Sequence, residues 1–98
     1  LTGEMINAQE ALEWGLVAKV VPAATLLDET FELAKTICDR APVAVKLAKE
    51  AVNMAYESHL KSGMDFERRN FYLTFASSDQ KEGMSAFLEK RAPQYQGN

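Results

Sequence analysis

Apolar residues recur along most of this 98-residue chain with the spacing of amphipathic helices. In residues 25–40 and 60–76 they return every three or four positions, which places them on one face of a helix. Residues 43–56 carry a stripe made mostly of alanines, whose small side chains permit a close helix–helix contact. The pattern therefore predicts three helices. Their apolar positions are Leu26, Leu33, Ala34, Ile37 and Cys38, then Ala44, Leu47, Ala48, Ala51 and Ala55, then Met64, Phe71, Tyr72 and Phe75.

A shorter helix and a strand are predicted before these three. Asn7 can cap a helix over 7–14, and Glu10, three residues on, completes the spacing of a capping box. Gly15 follows as the expected left-handed end of that helix. The apolar, β-branched run at 16–22 predicts a short strand. One strand cannot make a sheet, so its partners are expected from another part of a longer chain or from another subunit.

A last helix is predicted near the end of the sequence. Ser77 and Gln80 again have the spacing of a capping box, and the helix should run to about Arg91 before Pro93 stops it. The predicted fold class is therefore mainly α, with four or five helices and one short strand.

The composition is that of an ordinary globular domain, with 47% apolar residues, 26% charged residues and a net charge of −3. Acidic and basic side chains are interleaved, so no basic stripe predicts nucleic-acid binding. No apolar run approaches the roughly 18 residues that span a membrane. The single cysteine, Cys38, and the single histidine, His59, cannot form a zinc site. Cys38 lies on the apolar face of its helix and is expected in the core.

No catalytic arrangement emerges from these residues. His59 has no nucleophile with a recognisable signature beside it. The glutamates stand among lysines and arginines, as on solvated helix faces. Glu82 and Glu89 are seven positions apart, which is roughly 10 Å along a helix and far for one water to bridge. We predict no catalytic residue and no metal ligand in this chain.

The last helix offers one candidate binding site. Phe87 and Lys90 are three positions apart and share a face, with Gly83 one turn earlier. A ring beside a cation, with a glycine allowing close approach, suits a nucleotide, with the ring against the base and the ammonium against phosphate. The alternative is that Phe87 packs with Met84 and Leu88 in the core while Lys90 is solvated.

Both ends of the sequence resemble the crotonase (enoyl-CoA hydratase/isomerase) superfamily. The motifs at the start, in the family's order, are Leu1-Thr2-Gly3, Ile6, Ala8-Gln9-Glu10-Ala11 and Gly15-Leu16-Val17. The motifs similar to the closing helix of short-chain enoyl-CoA hydratases are Asp79, Glu82-Gly83, Ala86-Phe87 and Glu89-Lys90-Arg91. The resemblance covers essentially the whole chain.

This resemblance implies the C-terminal helical region of a crotonase-like α/β spiral fold. Residues 1–22 would end the crotonase core, and residues 23–98 would form a helical oligomerisation and lid domain. The implied activity is that of a lyase, an enoyl-CoA hydratase that adds water to 2-enoyl-CoA thioesters in fatty-acid β-oxidation. Isomerase and dehydratase branches share much of the pattern. The family's catalytic glutamates and oxyanion hole precede the Leu1-Thr2-Gly3 motif, so the resemblance assigns none of them to this chain.

The resemblance also implies partners. Phe87 and Lys90 resemble family residues that reach the nucleotide end of coenzyme A, which is part of the acyl-CoA substrate, so no separate cofactor is expected. A missing N-terminal catalytic region and homo-oligomers, as trimers or hexamers, are the expected protein partners. The compartment would be the cytoplasm in a bacterium or the mitochondrial matrix in a eukaryote. The open alternative is a free-standing helical binding or assembly module, which would bury its apolar faces by self-association.

Overall fold

The computed structural model describes residues Leu1–Asn98, and its regular structure is entirely helical. The chain divides into two compact units, residues 1–33 and residues 34–98. The predicted division of roles after residue 22 stays a prediction. Five α-helices and one 3₁₀ turn at Ala23–Thr25 confirm the mainly α class. The helices are α1 (Ala8–Glu13), α2 (Leu26–Cys38), α3 (Pro42–Glu57), α4 (Leu60–Thr74) and α5 (Ser78–Glu89).

The first helix begins at the predicted capping box. The backbone N–H of Glu10 donates to the side-chain oxygen of Asn7 at 2.9 Å, and the N–H of Asn7 donates to the Glu10 carboxylate at 2.8 Å. Gly15 follows the helix with a φ of +74°, in the left-handed region that only glycine adopts without strain. Both ends of α1 are therefore set by residues within it or beside it.

The predicted strand at 16–22 is absent from this chain. The amides of Leu16 and Val17 donate back to the carbonyl of Ala11, at 2.8 and 3.3 Å, and so close the turn after α1. A strand needs a neighbour to accept its backbone hydrogen bonds, and no strand forms anywhere in the chain. The β-branched run is therefore irregular here, in spite of its local preference.

Helices α3 and α4 pack against each other as an antiparallel pair. At the turn, a Cβ on Gly63 would lie 3.3 Å from the hydroxyl oxygen of Ser58, so the glycine permits a close approach. Further along, the side-chain amide of Asn70 donates to the carbonyl of Leu47 at 3.1 Å. Asn70 is buried, and this bond satisfies one of its donors where water has little access.

The chain buries very little of its apolar surface. Only Ala11, Asn70, Asp79 and Ala86 are buried, and two of these four are polar. Helix α2 buries no residue, and the ring of Phe31 within it is 70% exposed. Cys38, predicted in the core, is likewise exposed, because the apolar face that carries it is not covered. None of the helices has both the length and the apolar character needed to cross a bilayer.

Replacing Asn70 by alanine tests the bond between α3 and α4. We expect N70A to lower the free energy of unfolding by about 0.5–1.5 kcal/mol more than N53A, because one buried hydrogen bond is lost. Asn53 is exposed within α3, so the second variant cancels the difference in helix propensity between asparagine and alanine. Urea denaturation measures the free energy of unfolding of both variants. Equal losses would contradict a stabilising role for the Asn70–Leu47 bond.

Candidate functional site

Residues 91–98, here called the strap, fold back along α5. The amide of Gln94 donates to the Glu82 carboxylate at 2.8 Å, and the carbonyl of Asn98 accepts from the amide of Ser78 at 2.7 Å. Tyr95 lies against Gly83, where an added Cβ would sit 3.2 Å from the tyrosine hydroxyl oxygen. The close approach that Gly83 allows is therefore used by the strap itself.

Asp79, in the first turn of α5, holds the far end of the strap. Its carboxylate oxygens accept the amide of Gln96 at 2.7 Å and the amide of Gly97 at 2.9 Å. Asp79 is only 2% exposed, so the two hydrogen bonds replace the water that its charge would otherwise need. Gly97 in turn lies close to Pro42, since a Cβ on this glycine would be 3.4 Å from the proline ring. The strap thus ties the start of α5 to the start of α3.

Arg91 holds the near end of the strap to α5. Its guanidinium donates to both carboxylate oxygens of Glu82, at 2.5 and 2.9 Å, and its Nε donates to Glu89 at 2.6 Å. The hydrogen bonds from Arg91, and then the one from the Gln94 amide, lower the pKa of Glu82 from its usual 4.5 to about 2. The hydrogen bond to Glu82, followed by the one to Glu89, raises the pKa of Arg91. Both carboxylates are engaged with the arginine, whereas the sequence predicts only that they lie on solvated helix faces.

Lys90 ends α5 in a left-handed conformation, with φ 55° and ψ 38°. Its amide donates to the carbonyl of Phe87 at 3.3 Å, and the next amide, that of Arg91, donates to the carbonyl of Ala86 at 3.0 Å. These two bonds form a Schellman motif, in which the left-handed position is usually a glycine. A lysine there stores strain of about 1–2 kcal/mol.

Phe87 and Lys90 both point away from any core. The ring of Phe87 is 81% exposed, and Met84 and Leu88, the partners of the core alternative, are exposed as well. The exposed ammonium of Lys90 makes no ion pair. An accessible ring and an unpaired cation therefore lie within one turn at the end of α5. Their contact with a nucleotide stays a prediction.

An apolar groove of about 810 Å³ lies among α3, α4, α5 and the strap. The alanine stripe of α3 and two rings of α4 form part of its walls, and the rings of Phe71 and Phe75 meet edge to face at 5.2 Å. The apolar side chains along it include Ala44, Leu47, Ala48, Ala51, Phe71, Phe75 and Met84. Such a groove suits another apolar surface better than a polar ligand.

No catalytic cluster accompanies these features. His59 is exposed at the start of α4, where its side chain makes no capping bond. No group of three or more histidine, cysteine or acidic side chains could hold a metal ion. The sequence does not predict the strap, because most of its bonds join residues 9 to 20 positions apart and leave no local pattern.

Acid should release the near end of the strap. The pKa of Glu82 lies at about 2 in the folded protein and near 4.5 in the unfolded chain. The unfolded state therefore binds more protons between these values, and the stability that Glu82 contributes above pH 4.5 is lost as the pH falls towards 2. We expect the NMR signal of the Gln94 amide to shift with a midpoint near pH 2 and this shift to vanish in E82Q. A midpoint near 4.5 would contradict the bonding at Glu82.

The chain is similar to known proteins in both sequence and structure. The profile of the family described as enoyl-CoA hydratase/isomerase matches residues 1–98. The probable enoyl-CoA hydratase of Mycobacterium tuberculosis (strain CDC 1551 / Oshkosh) is 53% identical over 95 residues, which cover 97% of this chain and 37% of that relative. The mitochondrial enoyl-CoA hydratase of Pongo abelii is 46% identical over 91 residues, covering 93% of this chain and 31% of the relative.

Solved structures agree with these relatives. The crystal structure of an enoyl-CoA hydratase from Bacillus anthracis matches with a TM-score of 0.94 at 41% identity, over 99% of this chain and 38% of that one. The chain thus spans well under half the length of the proteins that it matches. Its helices have the arrangement found in a crotonase-type hydratase, as the sequence predicts. On sequence and structure together, this chain belongs to the enoyl-CoA hydratase/isomerase family.

Proposed function

We propose that this chain is the C-terminal helical part of an enoyl-CoA hydratase, a lyase that adds water to 2-enoyl-CoA thioesters in fatty-acid β-oxidation. Family membership over residues 1–98 supports the hydratase chemistry. A match to only 37% of a full-length relative supports a role within a larger catalytic unit. The observation that carries the proposal is the uncovered apolar surface, since α2 buries no residue. A surface of this kind is typical of one that another protein surface covers.

The cover would come from the catalytic region of the hydratase and from further copies in a trimer or hexamer. The apolar groove between α3, α4 and α5 presents one surface of suitable chemistry. The glutamates and oxyanion hole would lie in the catalytic region. Glu82 and Glu89 are poor candidates for that work because both are bonded to Arg91. The mitochondrial relative supports the matrix as the compartment in a eukaryote, and the cytoplasm would be the compartment in a bacterium.

Phe87 and Lys90 would bind the nucleotide end of coenzyme A. The exposed ring of Phe87 offers a face on which adenine can stack, an interaction worth about 1–3 kcal/mol per base in nucleic-acid complexes. The unpaired ammonium of Lys90 offers a charge-assisted bond to phosphate. Lys90 also occupies a backbone position where glycine would be less strained, and strained residues concentrate at binding sites. The role of this chain is then to hold and orient the thioester, while the proton transfers take place elsewhere.

The activity is tested with the full-length protein that contains this chain. We expect it to hydrate crotonyl-CoA, measured as the loss of the conjugated thioester absorbance, and not to shift the double bond of a 3-enoyl-CoA. The 98-residue chain alone should be inactive. Hydration of crotonyl-CoA by the 98-residue chain alone would contradict the proposal that the catalytic residues lie in another region of the protein. A full-length protein that binds CoA thioesters without converting them would favour the binding-module alternative.

Substitutions at Lys90 separate binding from folding. We expect K90A to raise the KM for crotonyl-CoA about tenfold, which corresponds to about 1.4 kcal/mol, with little change in kcat. K90G should raise KM to the same extent while increasing the free energy of unfolding by about 1 kcal/mol, because glycine relieves the left-handed strain.

Lys81 provides the matched control, because it is exposed near the start of the same helix, nine positions before Lys90. K81A removes one positive charge from α5 and should leave KM within about twofold of the wild type, since an exposed charge away from the ligand contributes little. An equal rise of KM in K81A and K90A would attribute the effect to the net charge of α5 and not to a contact of Lys90. An unchanged KM in K90A would remove Lys90 from the site.

A further inference from the structure

Except for two bonds of Arg91, the hydrogen bonds between the strap and α5 are made in the first two turns of that helix. Arg91 and Gln94 are bonded to Glu82, while Gln96 and Gly97 are bonded to Asp79. Asp79 precedes Lys90 by 11 positions, which is roughly 16 Å along a helix. The chain therefore reverses directly after Lys90 and runs back over the whole length of α5.

This reversal explains the conformation of Lys90. Any residue other than glycine prefers the right-handed region by about 1–2 kcal/mol, so a left-handed lysine persists only where its surroundings require it. The bonds from Arg91 onward supply that requirement, because the strap can reach Glu82 and Asp79 only if the chain turns at Lys90. Released from these bonds, residue 90 is free to return to the right-handed region, and its side chain then leaves α5 in another direction.

We infer that Asp79 and Glu82 are positioning residues for coenzyme A, since they hold the strap that sets the direction of the Lys90 side chain. The inference rests on the proposed contact between Lys90 and the nucleotide. Asp79 is buried beneath the strap, and its carboxylate accepts hydrogen bonds from two backbone amides. It therefore acts through Lys90 and not on the ligand. Glu82 acts through Arg91, whose guanidinium it holds with both oxygens.

The test compares two thioesters on the full-length enzyme, crotonyl-CoA and crotonyl-pantetheine, of which the second lacks the nucleotide. Asp79→Asn and Glu82→Gln keep the size of each side chain and remove its charge. Each should raise the KM for crotonyl-CoA about threefold to tenfold with kcat nearly unchanged. The KM for crotonyl-pantetheine should stay at the wild-type value. A general loss of structure would instead alter kcat and both KM values, and that outcome would overturn the inference.

A double-mutant cycle with K90A shows whether the effect passes through Lys90. Once Lys90 is alanine, adding D79N or E82Q should change the KM for crotonyl-CoA by less than about 1.5-fold, because residues acting through one contact are not additive. Full additivity of D79N and K90A would overturn the inference and leave the Lys90 contact standing. If K90A alone has no effect, the proposed nucleotide contact fails and the inference fails with it. The two failures are therefore distinguishable.

Asp65 supplies the matched control for a lost carboxylate. It forms an exposed ion pair with Arg68 on α4, away from the strap. D65N removes the same charge and breaks one ion pair, yet it should leave the KM for both thioesters unchanged. An effect of D65N as large as that of D79N would attribute the change to net charge and overturn the positioning role.

Discussion

The end of α5 depends on one buried charge, the carboxylate of Asp79. A carboxylate removed from water is stable only if hydrogen bonds replace its hydration, and here two backbone amides of the strap do so. The same two bonds satisfy amides that would otherwise be unpaired against the helix. Each partner therefore needs the other, which makes the contact cooperative. The turn at Lys90, the pairing of Arg91 with Glu82 and the position of Tyr95 over Gly83 all follow from this return of the chain.

A different constraint applies to the remainder of the chain, because few of its apolar side chains are covered by other residues. In an ordinary domain the large apolar side chains drive folding by leaving water, yet here no large side chain is fully buried. Hydrogen bonds stabilise the fold locally instead, including those of the capping box of α1 and the one from the amide of Asn70 between α3 and α4. They define helix ends and a helix register, but they do not replace a core. The relatives that the chain matches are more than twice as long as the chain.

The sequence predicts those features that depend on neighbouring residues. The Asn7–Glu10 capping box and the left-handed Gly15 both appear as expected, since each is decided within one turn of helix. The strand at 16–22 fails because a strand is a relation between two segments and only one is present. Cys38 is exposed for a similar reason, since an apolar face alone does not show what covers it.

In the candidate site, too, only the features that depend on neighbouring residues are predictable from the sequence. Phe87 and Lys90 are recognisable from their helical spacing and from the family resemblance. The strap is not, because a buried Asp79 and a bonded Glu82 look in the sequence like the acidic residues of any solvated helix. The only local hint is Pro93, which prevents α5 from continuing but does not say where the chain goes next. The left-handed Lys90 was equally hidden, since nothing in its identity favours that conformation.

The strap also has a consequence for the order in which local structure arises during synthesis. Residues 94–97 leave the ribosome after Phe87 and Lys90, so α5 can form before its end has been given a direction. Closure of the strap then joins residues 9 to 20 positions apart, and loops of about this length close in roughly 10–100 ns. The geometry at Lys90 thus arises only after the strap has been synthesised, although it then forms quickly.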